Sequence, residues 1–70
     1  MFMNEFKKIL YQLRKEKKLS QQKLGLFVGV TQQCISEWEN GNIEPTLSNL
    51  CRLADLFEVS IDFLAGREEY

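Results

Sequence analysis

The sequence predicts an all-α domain of five short helices, and three observations carry that expectation. Apolar residues recur at three- and four-residue spacing through five segments, about 4–17, 21–28, 32–40, 47–57 and 61–65. Four of these segments follow a serine or threonine, Ser20, Thr31, Thr46 and Ser60, whose side chain can accept from the unpartnered amides of a first turn. Glycine stands where the second and fifth segments must stop, at Gly29 and Gly66. Seventy residues at 44% apolar content suffice for one small core, which buries roughly 60% of the surface an unfolded chain of this size exposes. A single domain over 1–70 is therefore expected, with no room for a second, effector-binding one and with no repeat or low-complexity linker.

The first helix takes its apolar stripe from Phe6, Ile9, Leu10 and Leu13, and Leu19 ends it against the next. Ser20 caps the second, where Leu24, Phe27 and Val28 share a face. Gly29 then adopts a positive φ at no steric cost, Val30 plugs the turn, and Thr31 caps the third helix. A turn of about three residues between two short helices is the length of a helix-turn-helix. In the third helix Ile35 and Trp38 face inward, while Gln33, Ser36, Glu37 and Asn40 fall on the opposite side and Gln32 joins them at the N-terminal end. Pro45 precedes the fourth helix, whose expected inward residues are Leu47, Leu50, Cys51, Ala54 and Phe57. Ser60 caps a last turn, Ile61 to Ala65. Phe2, Phe6, Phe27, Phe57 and Phe63 are expected in the core or at an interface, and Trp38 in the core rather than as a platform for stacking bases. Tyr11 is the other aromatic with that alternative.

The outer face of the third helix points to function. Solvated helix faces usually carry Lys and Glu, which form intrahelical pairs; this one carries amides and a hydroxyl. Glutamine matches the N6 and N7 edge of adenine in the major groove with two hydrogen bonds, and serine bonds several base edges. A solvated face with no partner is the other reading of the same residues.

Charge is divided along the chain. Residues 1–36 hold seven cations, Lys7, Lys8, Arg14, Lys15, Lys17, Lys18 and Lys23, against Glu5 and Glu16, a balance of +5. The remainder holds two cations against eight acids, a balance of −6 that leaves the whole chain at −1. A basic half near a polyanion and an acidic half turned away would steer binding without attraction of the whole molecule; a merely solvated basic first helix is the alternative. Met1–Asn4 opens no signal peptide or membrane span, so a cytoplasmic location is expected. Cys34 and Cys51 stand on separate helices with no CxxC and no histidine in the chain, which favours reduced thiols over zinc or redox chemistry. No nucleophile elbow, glycine-rich phosphate loop or paired acids suggest an enzyme, and no cofactor, metal or small-molecule ligand is implied.

From Leu10 to Leu64 the chain resembles the Cro/repressor-like, or Xre-type, helix-turn-helix family of phage and bacterial transcription regulators. Leu10, Leu13, Arg14, Ser20, Gln21, Leu24, Gly29, Val30, Thr31, Ile35, Glu39, Asn40, Gly41, Pro45, Leu50, Ala54, Val59 and Leu64 carry the likeness. The run TQQ followed by CISEWENG is similar to phage repressors that read operator bases with two consecutive glutamines. The resemblance implies a compact five-helix lambda-repressor-like domain that binds double-stranded DNA, most often to repress. It implies base contacts from Gln32 and Gln33, a phosphate contact from Gln21, a backbone contact from Asn40 and an ion pair between Arg14 and Glu39; the residues themselves add Ser36 and Glu37 as candidate base contacts and Thr31 and Asn42 as candidate backbone contacts.

Three departures stand out. Gly25 replaces the family's usual alanine, and Glu37 replaces an amide or basic residue, so it must accept from a cytosine N4 amine or be repelled by phosphates. The loop 42–45 lacks the Lys or Arg that many relatives place there, which leaves Asn42 and the backbone amides with more to do. One domain makes few base contacts, so two copies on half-sites about 34–36 Å apart are expected. Val59, Ile61, Phe63 and Tyr70 are the expected homodimer surface. A protein-binding module of the same fold, such as an antitoxin or regulator adaptor working through its acidic half, is the competing function.

Overall fold

In a computed structural model, described over residues 5–67, five helices follow in the expected order: α1 (Phe6–Glu16), α2 (Gln21–Val28), α3 (Gln32–Asn40), α4 (Leu47–Phe57) and α5 (Ile61–Leu64). Phe2, Tyr70 and the expected helix start at 4 lie outside the described residues. Four of the five helices are capped by the serine or threonine before them, while Glu5 at the start of α1 makes no side-chain cap. Ser20 Oγ accepts from Lys23 N at 3.0 Å, Thr31 Oγ1 from Cys34 N at 3.1 Å, Thr46 Oγ1 from Asn49 N at 3.2 Å and Ser60 Oγ from Phe63 N at 2.9 Å. Such a cap stabilises its helix by about 1 kcal/mol. No helix among the described residues is long and apolar enough to cross a membrane.

The core is where all five helices meet. Leu10, Leu24, Ile35, Trp38, Leu53 and Leu64 are fully buried, and the Phe6 ring meets Trp38 edge-on, with centroids 6.4 Å apart. α3 is held from two sides, by α1 and α2, while α4 backs α2 and carries α5. Fixing α3 on both flanks leaves its third side free to face outward.

Three expected core residues are not in the core. Phe27 is 62% exposed, Leu47 is 69% exposed, and Cys51 is also exposed. In α2 the buried face is Leu24, Gly25 and Val28. A helix turns about 100° per residue, which puts Phe27 roughly a quarter-turn off that stripe. The stripe of α4 is Leu50, Leu53, Ala54 and Phe57, so Cys51 falls beside it and Leu53 takes the place given to Cys51. Leu47 shares that azimuth but stands in the first turn. At the other end of the domain Val59, Ile61 and Phe63 are half-buried, with Val59 and Ile61 packed against the core.

Candidate nucleic-acid interface

The turn between α2 and α3 sets where the outward face lies. The Gly25 carbonyl accepts from both Gly29 N at 2.8 Å and Val30 N at 2.9 Å, with Gly29 at φ +88°. A β-carbon on Gly25 would lie 2.7 Å from Val30 O and 3.4 Å from Gln32 N, so the missing side chain lets the turn sit directly on α2. Alanine here gains about 1 kcal/mol of helix propensity. Forcing the turn's backbone outward costs roughly 1–3 kcal/mol, more than alanine recovers. Gly25→Ala is therefore expected to lower Tm; a variant more stable than the parent in thermal unfolding would contradict this packing.

From that seat α3 presents Thr31, Gln32 and Gln33 exposed, Ser36 and Glu37 half-buried, and Asn40 exposed at the far end. Among the described residues nothing folds over either glutamine. Thr31 Oγ1 is engaged only as the acceptor of its cap, which leaves the hydroxyl proton to donate. Asn40 Nδ2 reaches Ser36 Oγ at 3.5 Å, a weak bond that a ligand would replace at little cost. Cys34 lies half-buried at the base of the face; burial, and then the charge of Glu37, push its thiol above the ordinary value. It meets any partner as a neutral thiol.

Behind this face Arg14, Glu39 and Gln21 join three helices. Arg14 donates Nε to Glu39 Oε2 at 2.6 Å and Nη2 to Oε1 at 3.0 Å, and its Nη1 reaches Leu19 O at 2.8 Å. Gln21 Nε2 donates to the same Glu39 Oε1 at 3.0 Å. The ion-paired side chains are only 9% and 6% exposed. Tyr11 lies under this pair, with the Arg14 guanidinium 5.3 Å and the Lys15 ammonium 5.8 Å from its ring centroid. Its ring is thus engaged by cations of its own helix.

Two arrangements were beyond the reach of sequence spacing. Asn42 Nδ2 donates to Glu37 Oε1 at 3.1 Å while Asn42 N donates to Glu37 O at 3.0 Å, which ties this exposed amide to a carboxylate and leaves its second amide proton and its carbonyl unused by that bond. Arg52 Nη1 donates to Val28 O at 3.3 Å, closing the end of α2 from α4. Among the described residues no cluster of His, Cys, Asp or Glu could hold a metal ion.

A helix-turn-helix family model matches residues 10–64. The chain is 38% identical over 65 residues to the HTH-type transcriptional activator BcrR of Enterococcus faecalis, covering 93% of this chain and 32% of that protein. It is 40% identical over 55 residues to YonR, a prophage-derived HTH-type transcriptional regulator of Bacillus subtilis, covering 79% of this chain and 51% of that one. Among solved structures the c2 repressor of phage P22, crystallised with a synthetic operator, superposes with a TM-score of 0.82 at 34% identity, covering 97% of this chain and 98% of the other. The chain thus spans between 32% and 51% of the length of these two curated relatives.

Proposed function

The chain belongs to the Xre/Cro-type helix-turn-helix family of transcription regulators, and from that premise we propose that it reads a pseudo-palindromic DNA operator by lowering α3 into the major groove. One observation carries the reading. Gln32 and Gln33 stand exposed at the N-terminal end of α3, while Ile35 and Trp38 on its other side are 0% and 1% exposed. A helix locked from behind and bearing amides in front suits hydrogen bonding to base edges.

Gln32, Gln33 and Ser36 are the proposed base contacts, with Glu37 accepting from a cytosine N4 amine. Thr31 and Asn40 take phosphates, as do Gln21 and Asn42 through the amide proton and carbonyl that Glu39 and Glu37 leave unused. The Arg14–Glu39–Gln21 network fixes that side chain beforehand, so less entropy is lost on binding. Two copies, joined through Val59, Ile61, Phe63 and Tyr70, occupy the two half-sites and repress by covering a promoter. A DNA partner of this kind implies a cytoplasmic location.

Selection from random-sequence duplex DNA at several salt concentrations tests the proposal. The expected result is a two-fold site with half-sites about 34–36 Å apart and a log–log salt slope of several, set by the phosphates neutralised. Sedimentation with the selected site should give two protein chains per duplex. A pool that returns no preferred bases would overturn DNA reading in favour of the protein-binding module.

A further inference from the structure

We infer that Lys7, on α1, supplies a cationic phosphate contact at the α3–α4 loop, which has no cation of its own; the inference rests on the DNA-binding reading above. Residues 42–45, Asn-Ile-Glu-Pro, contain no cation. Their one amide side chain, Asn42, already donates to the Glu37 carboxylate. A duplex seated on α3 therefore meets a junction with no cation of its own.

Lys7 crosses over to this junction. A β-carbon on Gly41 would lie 3.0 Å from Lys7 Cδ, 3.7 Å from Cε and 3.4 Å from Nζ, so the lysine stem lies across the bare backbone of the residue that ends α3. A side chain on Gly41 would press on the lysine stem and make it shift. The ammonium comes close to Gly41, the C-cap of α3, where the negative end of the helix dipole favours a cation. Among the described residues it has no carboxylate partner. Lys7 itself is exposed, with its methylene stem alongside the Gly41 backbone and a charged tip left for solvent or a phosphate. A cation moved from the loop to the first helix thus restores the electrostatics of the contact.

The test compares wild type, Lys7→Gln and Lys8→Gln on the selected operator across a salt series. Lys8 carries the same charge one residue further along α1, about 100° around the helix. Loss of one phosphate contact in each of the two half-sites lowers the log–log slope by about 2. The affinity deficit of Lys7→Gln should accordingly shrink about tenfold between 50 and 200 mM salt. Its base preferences should match those of wild type, and Lys8→Gln should keep the wild-type slope. If Lys7→Gln retained the wild-type slope, whether or not its Tm moved, Lys7 would be a support for the end of α3 and this inference alone would fall. Wild-type protein that selected no site would overturn the DNA-binding reading and this inference with it.

Discussion

Arg14→Ala is expected to remove most of the stability of this domain. The substitution leaves the Glu39 carboxylate, whose side chain is 6% exposed, with only the Gln21 amide for company, and it also frees Leu19 O. Removing one partner of a buried ion pair costs about 3–5 kcal/mol, because the charge left behind has lost both water and its counterion. A chain of this size has roughly 3.5–10 kcal/mol in total, at about 0.05–0.15 kcal/mol per residue. The Tm should fall by at least about 12 °C in thermal unfolding followed by circular dichroism; a shift of only a few degrees would contradict the buried network. Replacing both charges, Arg14→Met with Glu39→Leu, should recover most of the loss, since nothing charged then remains buried. The double variant should nonetheless bind DNA more weakly than wild type, because Gln21 no longer has a carboxylate to fix it.

Trp38→Ala has an effect of similar size by a different route. The indole is 1% exposed at the point where α3 meets Phe6 of α1. Truncation removes the largest side chain of the core and leaves a cavity between helices that cannot close fully, at a cost of roughly 3–5 kcal/mol. In urea the midpoint should drop sharply while the m-value stays near that of wild type. Trp38→Phe should cost much less. An alanine variant as stable as the phenylalanine one would mean that the ring is not the wedge between α1 and α3.

Local chemistry made the helices legible. Ser20, Thr31, Thr46 and Ser60 each act within three residues of themselves, and Gly29 and Gly41 end helices by adopting positive φ, +88° and +77°, so neighbours in sequence suffice to place them. Where glycine was absent the ends were blurred. Lys18 and Glu58 take φ +57° and +58° at the ends of α1 and α4, a conformation that no side-chain type there announces. Apolar periodicity was ambiguous by a quarter-turn: it admitted Phe27 and Cys51 to the core and passed over Leu53, because a helix with apolar residues on two adjacent rows gives no sign of which row its neighbour covers.

The interface was legible in part. Gln32 and Gln33 declared themselves by their amides on the side opposite Ile35 and Trp38. Family likeness, not spacing, suggested that Arg14 and Glu39 would meet across 25 positions. Asn42 holding Glu37, Gln21 joining Glu39 and Lys7 crossing Gly41 all depend on how closely separate elements approach, and that distance is written nowhere in the chain.

If the exposed amides of α3 distinguish bases, then repeating the selection with Gln33→Ala and comparing the two sets of preferred sites will show it. Discrimination worth about 1–3 kcal/mol, roughly 5- to 150-fold, should vanish at one base pair in each half-site, with the salt slope and the remaining positions unchanged. A variant that selected the same bases as wild type with the same stringency would contradict base reading by this helix.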